Sequence, residues 1–314
     1  MNISLNPSYQ CNLRCEFCYL GDKLGDPKKI PLDVLDARLS EVSRHSGIEH
    51  LDLYGGEILI LPDDYLAGMM DVIHKHYDGK VNLITNLTRM KRDFLYRDDI
   101  TLSVSFDFEC RSGFQNTLTN LMTLTKPVSL LMLASPCLMK LDMGYMLSVL
   151  NSIPCAETVE IKPYSSNQYN QLTSKFSEFE EFVKEFIEAS ESGKLKPYFT
   201  NIAYIQDSLE GTRNAYSDNH VYITPSGNFG VLDFDEKDNE FFLEMNSIEE
   251  YFKWAETEKL KVQSNPFCST CKWQGKCLTE HYRSVQSLEH SCNGFKHLLE
   301  WYDAGTQSQT SHLS

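Results

Sequence analysis

Gln10-Cys11-Asn12-Leu13-Arg14-Cys15-Glu16-Phe17-Cys18-Tyr19 places three cysteines on one short loop, separated by three and then two residues. Three thiolates so spaced can hold three irons of a 4Fe-4S cluster, leaving the fourth iron open to a substrate or cofactor. A structural zinc site would need a fourth ligand, and His45, His50 and His74 are all remote from the loop in sequence. Buried structural thiols are the plainer alternative. Just upstream, Asn2 to Leu5 reads as a strand. Downstream, Leu32, Leu35, Leu39 and Val42 share one face of an amphipathic helix.

Strand and helix alternate from there. The apolar patterning predicts strands at His50–Tyr54, Val81–Leu87, Thr101–Asp107, Val128–Ser135 and Thr158–Tyr164. Helical stretches are expected near 63–77, 112–125, 143–151 and 176–190. Six strands alternating with helices imply an α/β fold with a parallel sheet. The C-terminal strand ends, where such folds bind ligands, then carry the cysteine loop, a Gly55-Gly56-Glu57 turn and Asp107. Phe176, Phe179, Phe182 and Phe186 follow helical spacing and read as core packing. Residues 303–314, rich in Ser, Thr and Gln, read as a disordered tail.

Composition narrows the function classes. The chain has 314 residues, 41% of them hydrophobic, and 29 Lys+Arg against 44 Asp+Glu for a net charge of −15. That balance excludes a disordered or collagen-like chain and disfavours nucleic acid and anionic membrane as partners. No apolar run approaches the ~20 residues of a membrane span, and no secretory signal opens the sequence. A cytoplasmic location is the expectation, and with it ten cysteines kept as thiols rather than disulfides.

A second cysteine group, Cys268, Cys271, Cys277 and Cys292, supplies four ligands and so describes a closed site. Zinc and a 4Fe-4S cluster both fit that ligand count. A closed cluster would serve electron transfer or structural organisation rather than substrate binding. Cys110, Cys137 and Cys155 lie between the two groups.

The loop Cys11, Cys15 and Cys18, with Phe17 before the third cysteine, resembles the CxxxCxΦC signature of the radical S-adenosylmethionine (SAM) enzymes. Gly55-Gly56-Glu57 resembles that family's GGE motif, Glu57 being the expected acceptor for the SAM amino group. The resemblance implies a partial (β/α)6 barrel over residues 1–200, a 4Fe-4S cluster whose open iron binds SAM, and cleavage of SAM to a 5′-deoxyadenosyl radical that removes a substrate hydrogen. It also makes Ser105 the expected contact to the SAM ribose. An arginine about a dozen residues later binds the SAM carboxylate in relatives, but position 117 is Thr117, which leaves that group open. Asp107 is the candidate active-site acid or base on its strand-end position.

The C-terminal spacing, preceded by the hairpin-like HVYITPSGNFGVLDF with Pro225-Ser226-Gly227-Asn228 as its turn, resembles the SPASM or twitch domain of peptide-modifying members. Residues 201–302 would form this small cysteine-rich domain, with an auxiliary 4Fe-4S cluster on Cys268, Cys271, Cys277 and Cys292. A first auxiliary cluster is not expected, because Leu232 and His281 stand where relatives have cysteines. The activity implied is modification of a precursor peptide, with oxidative carbon–carbon cross-linking the preferred product. A radical peptide epimerase, with Cys110 or Cys137 returning a hydrogen atom, is the alternative, followed by a sulfatase-maturase-like or small-molecule dehydrogenase and by a non-catalytic zinc protein. A flavodoxin- or ferredoxin-type electron donor is the expected partner. Cys11 lies so near the first residue that a separate protein would supply leader recognition, unless the enzyme's own acidic surface attracts a basic leader.

Overall fold

The computed structural model describes residues 1–164, 172, 174–216, 218–232, 242–279, 292 and 294–311. Its centre is six parallel strands in chain order: β1 (Asn2–Leu5), β2 (His50–Leu53), β3 (Val81–Thr85), β4 (Ile100–Ser105), β5 (Val128–Ala134) and β6 (Ala156–Pro163). The period of two decides their faces. On β5, Val128, Leu130, Met132 and Ala134 are buried under the helices, while Leu131 and Leu133 line the inner cavity. The helix Leu32–His45 buries Leu35, Leu39 and Val42 completely, each such side chain contributing about 1.5–3 kcal/mol. This is the partial barrel expected from the sequence, and every predicted strand and helix has a counterpart within a few residues.

Two features differ from expectation. The hairpin of β8 (His220–Ile223) and β9 (Phe229–Leu232) forms where the Pro225–Asn228 turn was expected, but it does not stand apart from the barrel. β8 pairs in parallel with β1, Asn2 opposite His220 and Leu5 opposite Ile223. With β7 (Tyr198–Phe199) on β6 and β10 (Phe242–Met245) on β9, one ten-stranded sheet runs β10-β9-β8-β1-β2-β3-β4-β5-β6-β7. The expected boundary near residue 200 is therefore not a break in the sheet. The second difference is the tail: a helix runs Lys296–Ser311. Leu298, Leu299 and Tyr302 are buried in the main core, and once this first turn is fixed each further residue adds a hydrogen bond at little entropic cost.

The aromatic helix Phe176–Glu191 behaves as expected, with Phe179, Phe182 and Phe186 buried and Phe179 packed 4.6 Å from Phe295. Among the described residues no helix is long and apolar enough to cross a membrane. Cys110 and Cys137 form a disulfide between the loops after β4 and β5. The expectation of free thiols there is corrected: the barrel brings the ends of adjacent strands together, which spacing along the chain cannot reveal.

Candidate active site

The cysteine loop leaves β1 and crosses the C-terminal end of the barrel. It is held by backbone bonds from Cys11 N–H to the Leu24 carbonyl (3.1 Å) and from Cys18 N–H to the Cys15 carbonyl (3.1 Å). Cys11, Cys15 and Cys18 all line one cavity of about 570 Å³ inside the barrel, the size of a small-molecule site. Burial pushes the Cys11 thiol up to about 11, against the pull of the Leu13 N–H and with help from Glu57, Cys18 and Cys15. Cys18 is raised as well, first by burial. Left alone these groups stay protonated; a cation is what makes thiolates favourable here. Donors are already aimed at the sulfurs, Leu13 N–H at Cys11 (3.4 Å) and Arg111 at Cys15 (3.8 Å), as suits the anionic sulfurs of a cluster.

The Gly-Gly-Glu turn abuts this loop. A Cβ on Gly56 would sit 2.1 Å from the Gln10 carbonyl oxygen and 2.4 Å from that of Tyr9, and Gly55 adopts φ +152°, where a Cβ would sit 2.6 Å from the Ser8 carbonyl oxygen. Only glycine lets the two loops touch. Gly56 N–H donates to the Ser8 carbonyl and Glu57 N–H to the Gln10 carbonyl. The Glu57 side chain, however, points into the wall. Its Oε1 accepts from the Thr85 hydroxyl (2.6 Å) and Leu59 N–H (2.9 Å), and its Oε2 from Asn86 N–H (2.7 Å). Burial raises its carboxyl, opposed by those three donors. The expected acceptor for an ammonium group is thus a brace, and the cavity lining at this turn is Gly55 and Gly56. Asn86 relays the brace to the cysteine loop through Asn12 (3.1 Å).

Ser105 ends β4, Asp107 follows two residues later, and both line the cavity. No described group hydrogen-bonds the Ser105 hydroxyl, which leaves it to a ligand. Asp107 is 1% exposed and fully engaged: Oδ1 accepts from Leu133 N–H (2.6 Å), and Oδ2 from Arg111 Nε (2.7 Å) and Nη2 (2.6 Å). That geometry makes it a holder of Arg111 rather than a free base. Arg111 lies over Phe17, 5.1 Å from the ring centroid. Burial works against its charge, but Asp107 and Cys15 outweigh burial and hold it protonated. Sequence reasoning looked for a cation at position 117, whereas Thr117 is buried and donates to the Asn86 carbonyl. The usable signal was the Asp107/Arg111 pair at i, i+4 directly after a strand end.

The four C-terminal cysteines gather outside the cavity lining, joined to it through Arg213, a lining residue whose Nε donates to the Cys277 carbonyl (3.1 Å). Burial and then Cys277, Cys292 and Cys271 push Cys268 up to about 11, so the four are electrostatic neighbours. Gly294 lies against two of them: a Cβ there would come 2.8 Å from Cys277 Sγ and 3.7 Å from Cys292 Sγ. Among the described residues no three His, Cys, Asp or Glu groups converge tightly enough for a single metal ion. Thr279 and Phe295, from the same region, line the barrel cavity. Cys155 is buried and donates to the Leu121 carbonyl (3.3 Å). His281 lies outside the described residues.

Comparison with known proteins follows the same lines. The radical SAM superfamily model matches residues 5–100. No curated protein matches the sequence significantly. Among solved structures, native anSMEcpe with bound AdoMet and Cp18Cys peptide superposes at TM-score 0.66 with 15% identity, over 100% of this chain and 99% of that one. Streptococcus suis SuiB bound to S-adenosylmethionine gives 0.67 with 14% identity, over 88% and 71%. SuiB bound to precursor peptide SuiA gives 0.66 with 12% identity, over 88% and 70%.

Proposed function

We propose that this radical SAM enzyme modifies a ribosomally made precursor peptide inside the barrel cavity. One observation carries the reading: a single cavity is lined by Cys11, Cys15, Cys18 and Arg111 together with Thr279, Phe295 and Arg213, whose Nε donates to the Cys277 carbonyl. The folds it resembles include proteins solved with AdoMet and with peptides. Cys11, Cys15 and Cys18 would hold the SAM-binding 4Fe-4S cluster. The Gly55–Gly56 backbone, Ser105 and Arg111 would hold SAM, and Cys268, Cys271, Cys277 and Cys292 an auxiliary 4Fe-4S cluster. When bound, these groups supply a 5′-deoxyadenosyl radical for hydrogen abstraction and a sink for a second electron.

The protein's own residues do the rest. Arg111, kept charged by Asp107, offsets negative charge at Cys15. Phe17, Tyr54, Tyr204 and Phe295 give the cavity aromatic walls. Loss of two hydrogens in an oxidative cross-link is the product this layout favours. Epimerisation has less support, since Cys110 and Cys137 are bonded to each other and Cys155 is buried against Leu121. A flavodoxin- or ferredoxin-type protein would deliver the electrons.

The test is anaerobic reconstitution followed by iron and sulfide counts and 5′-deoxyadenosine measurement with dithionite. About eight irons per chain, deoxyadenosine from wild type but not from Cys15→Ala, and a two-hydrogen mass loss on a precursor peptide are expected. Zinc with no SAM cleavage overturns the reading.

A further inference from the structure

The charged groups lining the cavity are matched, with one exception. Asp107 pairs with Arg111, Glu160 with Lys162 at 2.9 Å, and Asp52 with His50 at 2.9 Å and Asn82 at 2.7 Å, while His220 bonds Ser4 at 2.9 Å. Arg213 has no carboxylate among the described residues. Its Nε donates to the carbonyl of Cys277 (3.1 Å), and its guanidinium lies 5.0 Å over the Tyr204 ring. No described acceptor takes its Nη1 or Nη2, although the side chain lines the cavity.

The position is rigidly built. Arg213 follows the helix Thr200–Glu210, and its N–H donates to the Asp207 carbonyl (3.3 Å). Two residues on, Ala215 N–H donates to the Gly275 carbonyl (3.0 Å), inside the Cys271–Cys277 loop. The 213–215 segment is therefore stitched twice to the auxiliary cysteine loop. A guanidinium fixed at Nε and over an aromatic face has lost most of its rotamer freedom, so little further ordering opposes binding through its two remaining nitrogens.

We infer that Arg213 is a substrate anchor that binds a carboxylate of the peptide, from an Asp or Glu side chain or the C-terminus, where the cavity wall meets the auxiliary cysteine loop. Two parallel N–H donors match a carboxylate's two oxygens in the bidentate mode. The anchor gives selectivity where the protein's overall charge opposes it: a chain of net −15 repels acidic peptides at long range, and screening by salt weakens that repulsion. The bond to the Cys277 carbonyl also links substrate binding to the wall that carries an auxiliary-site ligand. This inference rests on the cavity being the peptide site proposed above.

The experiment uses the reconstituted full-length protein and two fluorescent hexapeptides, identical except for a central Asp or Asn, each made as a C-terminal acid and as an amide. Binding is read by anisotropy, which needs no turnover. Wild type is expected to bind the acid-bearing peptides about 20-fold more tightly than the all-neutral one, the size of a charge-assisted pair. Arg213→Gln should lose that preference while keeping the affinity for the neutral peptide, and Arg213→Lys should restore part of it. Deoxyadenosine formed with dithionite in the absence of peptide should be unchanged in both variants, which separates this claim from the radical SAM reading. Equal binding of acid and neutral peptides by wild type, no binding of any of them, or an acid preference that survives in Arg213→Gln overturns the anchor. Because the peptide comparison is made on wild type as well, a variant that fails to fold does not remove the test.

Discussion

Glu57→Gln separates a wall brace from a ligand-binding acid. The carboxylate accepts three buried hydrogen bonds, from Thr85, Leu59 and Asn86. A glutamine has one acceptor oxygen. Placed toward Thr85 and Leu59, it turns its amide hydrogens on the Asn86 N–H; reversed, it turns them on Leu59 N–H. Either way one buried backbone donor is stranded, at about 1–3 kcal/mol, and the surviving bonds lose charge assistance worth roughly a further 1 kcal/mol. Relief of the carboxylate's burial, the cause of its raised pKa, offsets part of this loss. The balance is a loss of about 2 kcal/mol. Anaerobic urea unfolding of the metal-free protein should show that loss, and reconstitution should show weaker iron retention, because Asn86 no longer holds Asn12 and the cysteine loop. A Glu57→Gln protein as stable as wild type that is defective only in SAM affinity would refute the brace and make the side chain a ligand.

Further outcomes follow from the same geometry. Gly56→Ala puts a methyl 2.1 Å from a backbone oxygen of the cysteine loop and should abolish iron loading, measured per folded chain; normal loading would mean the loops need not touch. Asp107→Asn should raise the KM for SAM about tenfold through a loosened Arg111, with kcat for deoxyadenosine formation nearly kept; a fall in kcat alone would instead make Asp107 the acid or base. The bond to Asp52 raises His50 above its ordinary value, although burial opposes it. Burial works to raise Asp52, but His50 and Asn82 outweigh it and leave it lowered. The His50 share of the pair's stability is therefore complete below about pH 6.5 and lost as pH rises through the raised value. The Asp52 share is present above the ordinary carboxylate range and lost as pH falls through its lowered value. NMR titration of His50 should show the upward shift, and Asp52→Asn should erase it.

The legible part of this protein lay in local periodicity and close spacing. Strands of period two and helices of period 3.6 announce themselves within a few residues, and a three-cysteine loop or a CxxC pair brings its own ligands together without help from the fold. So the parallel barrel, the Cys11–Cys18 loop and the Gly55-Gly56-Glu57 turn were readable from the chain, while the contact of that turn with the cysteine loop was not. Side-chain direction at the barrel rim was not. Whether Glu57 faces the ligand or the wall depends on Thr85 and Asn86, nearly 30 residues away, and the guanidinium that lines the cavity beside Cys15 is that of Arg111, which lies over Phe17, while Thr117 is spent on the Asn86 carbonyl. Cys110 and Cys137 are 27 residues apart, so only the adjacency of β4 and β5 makes them partners. Arg213 becomes part of the cavity because β8 adds to β1 and carries the preceding loop against Cys277. Sequence determined the elements and the self-contained motifs, since those rest on interactions within a few residues. Tertiary structure decided which polar groups are spent on one another and which remain for a ligand, since that depends on packing between distant segments.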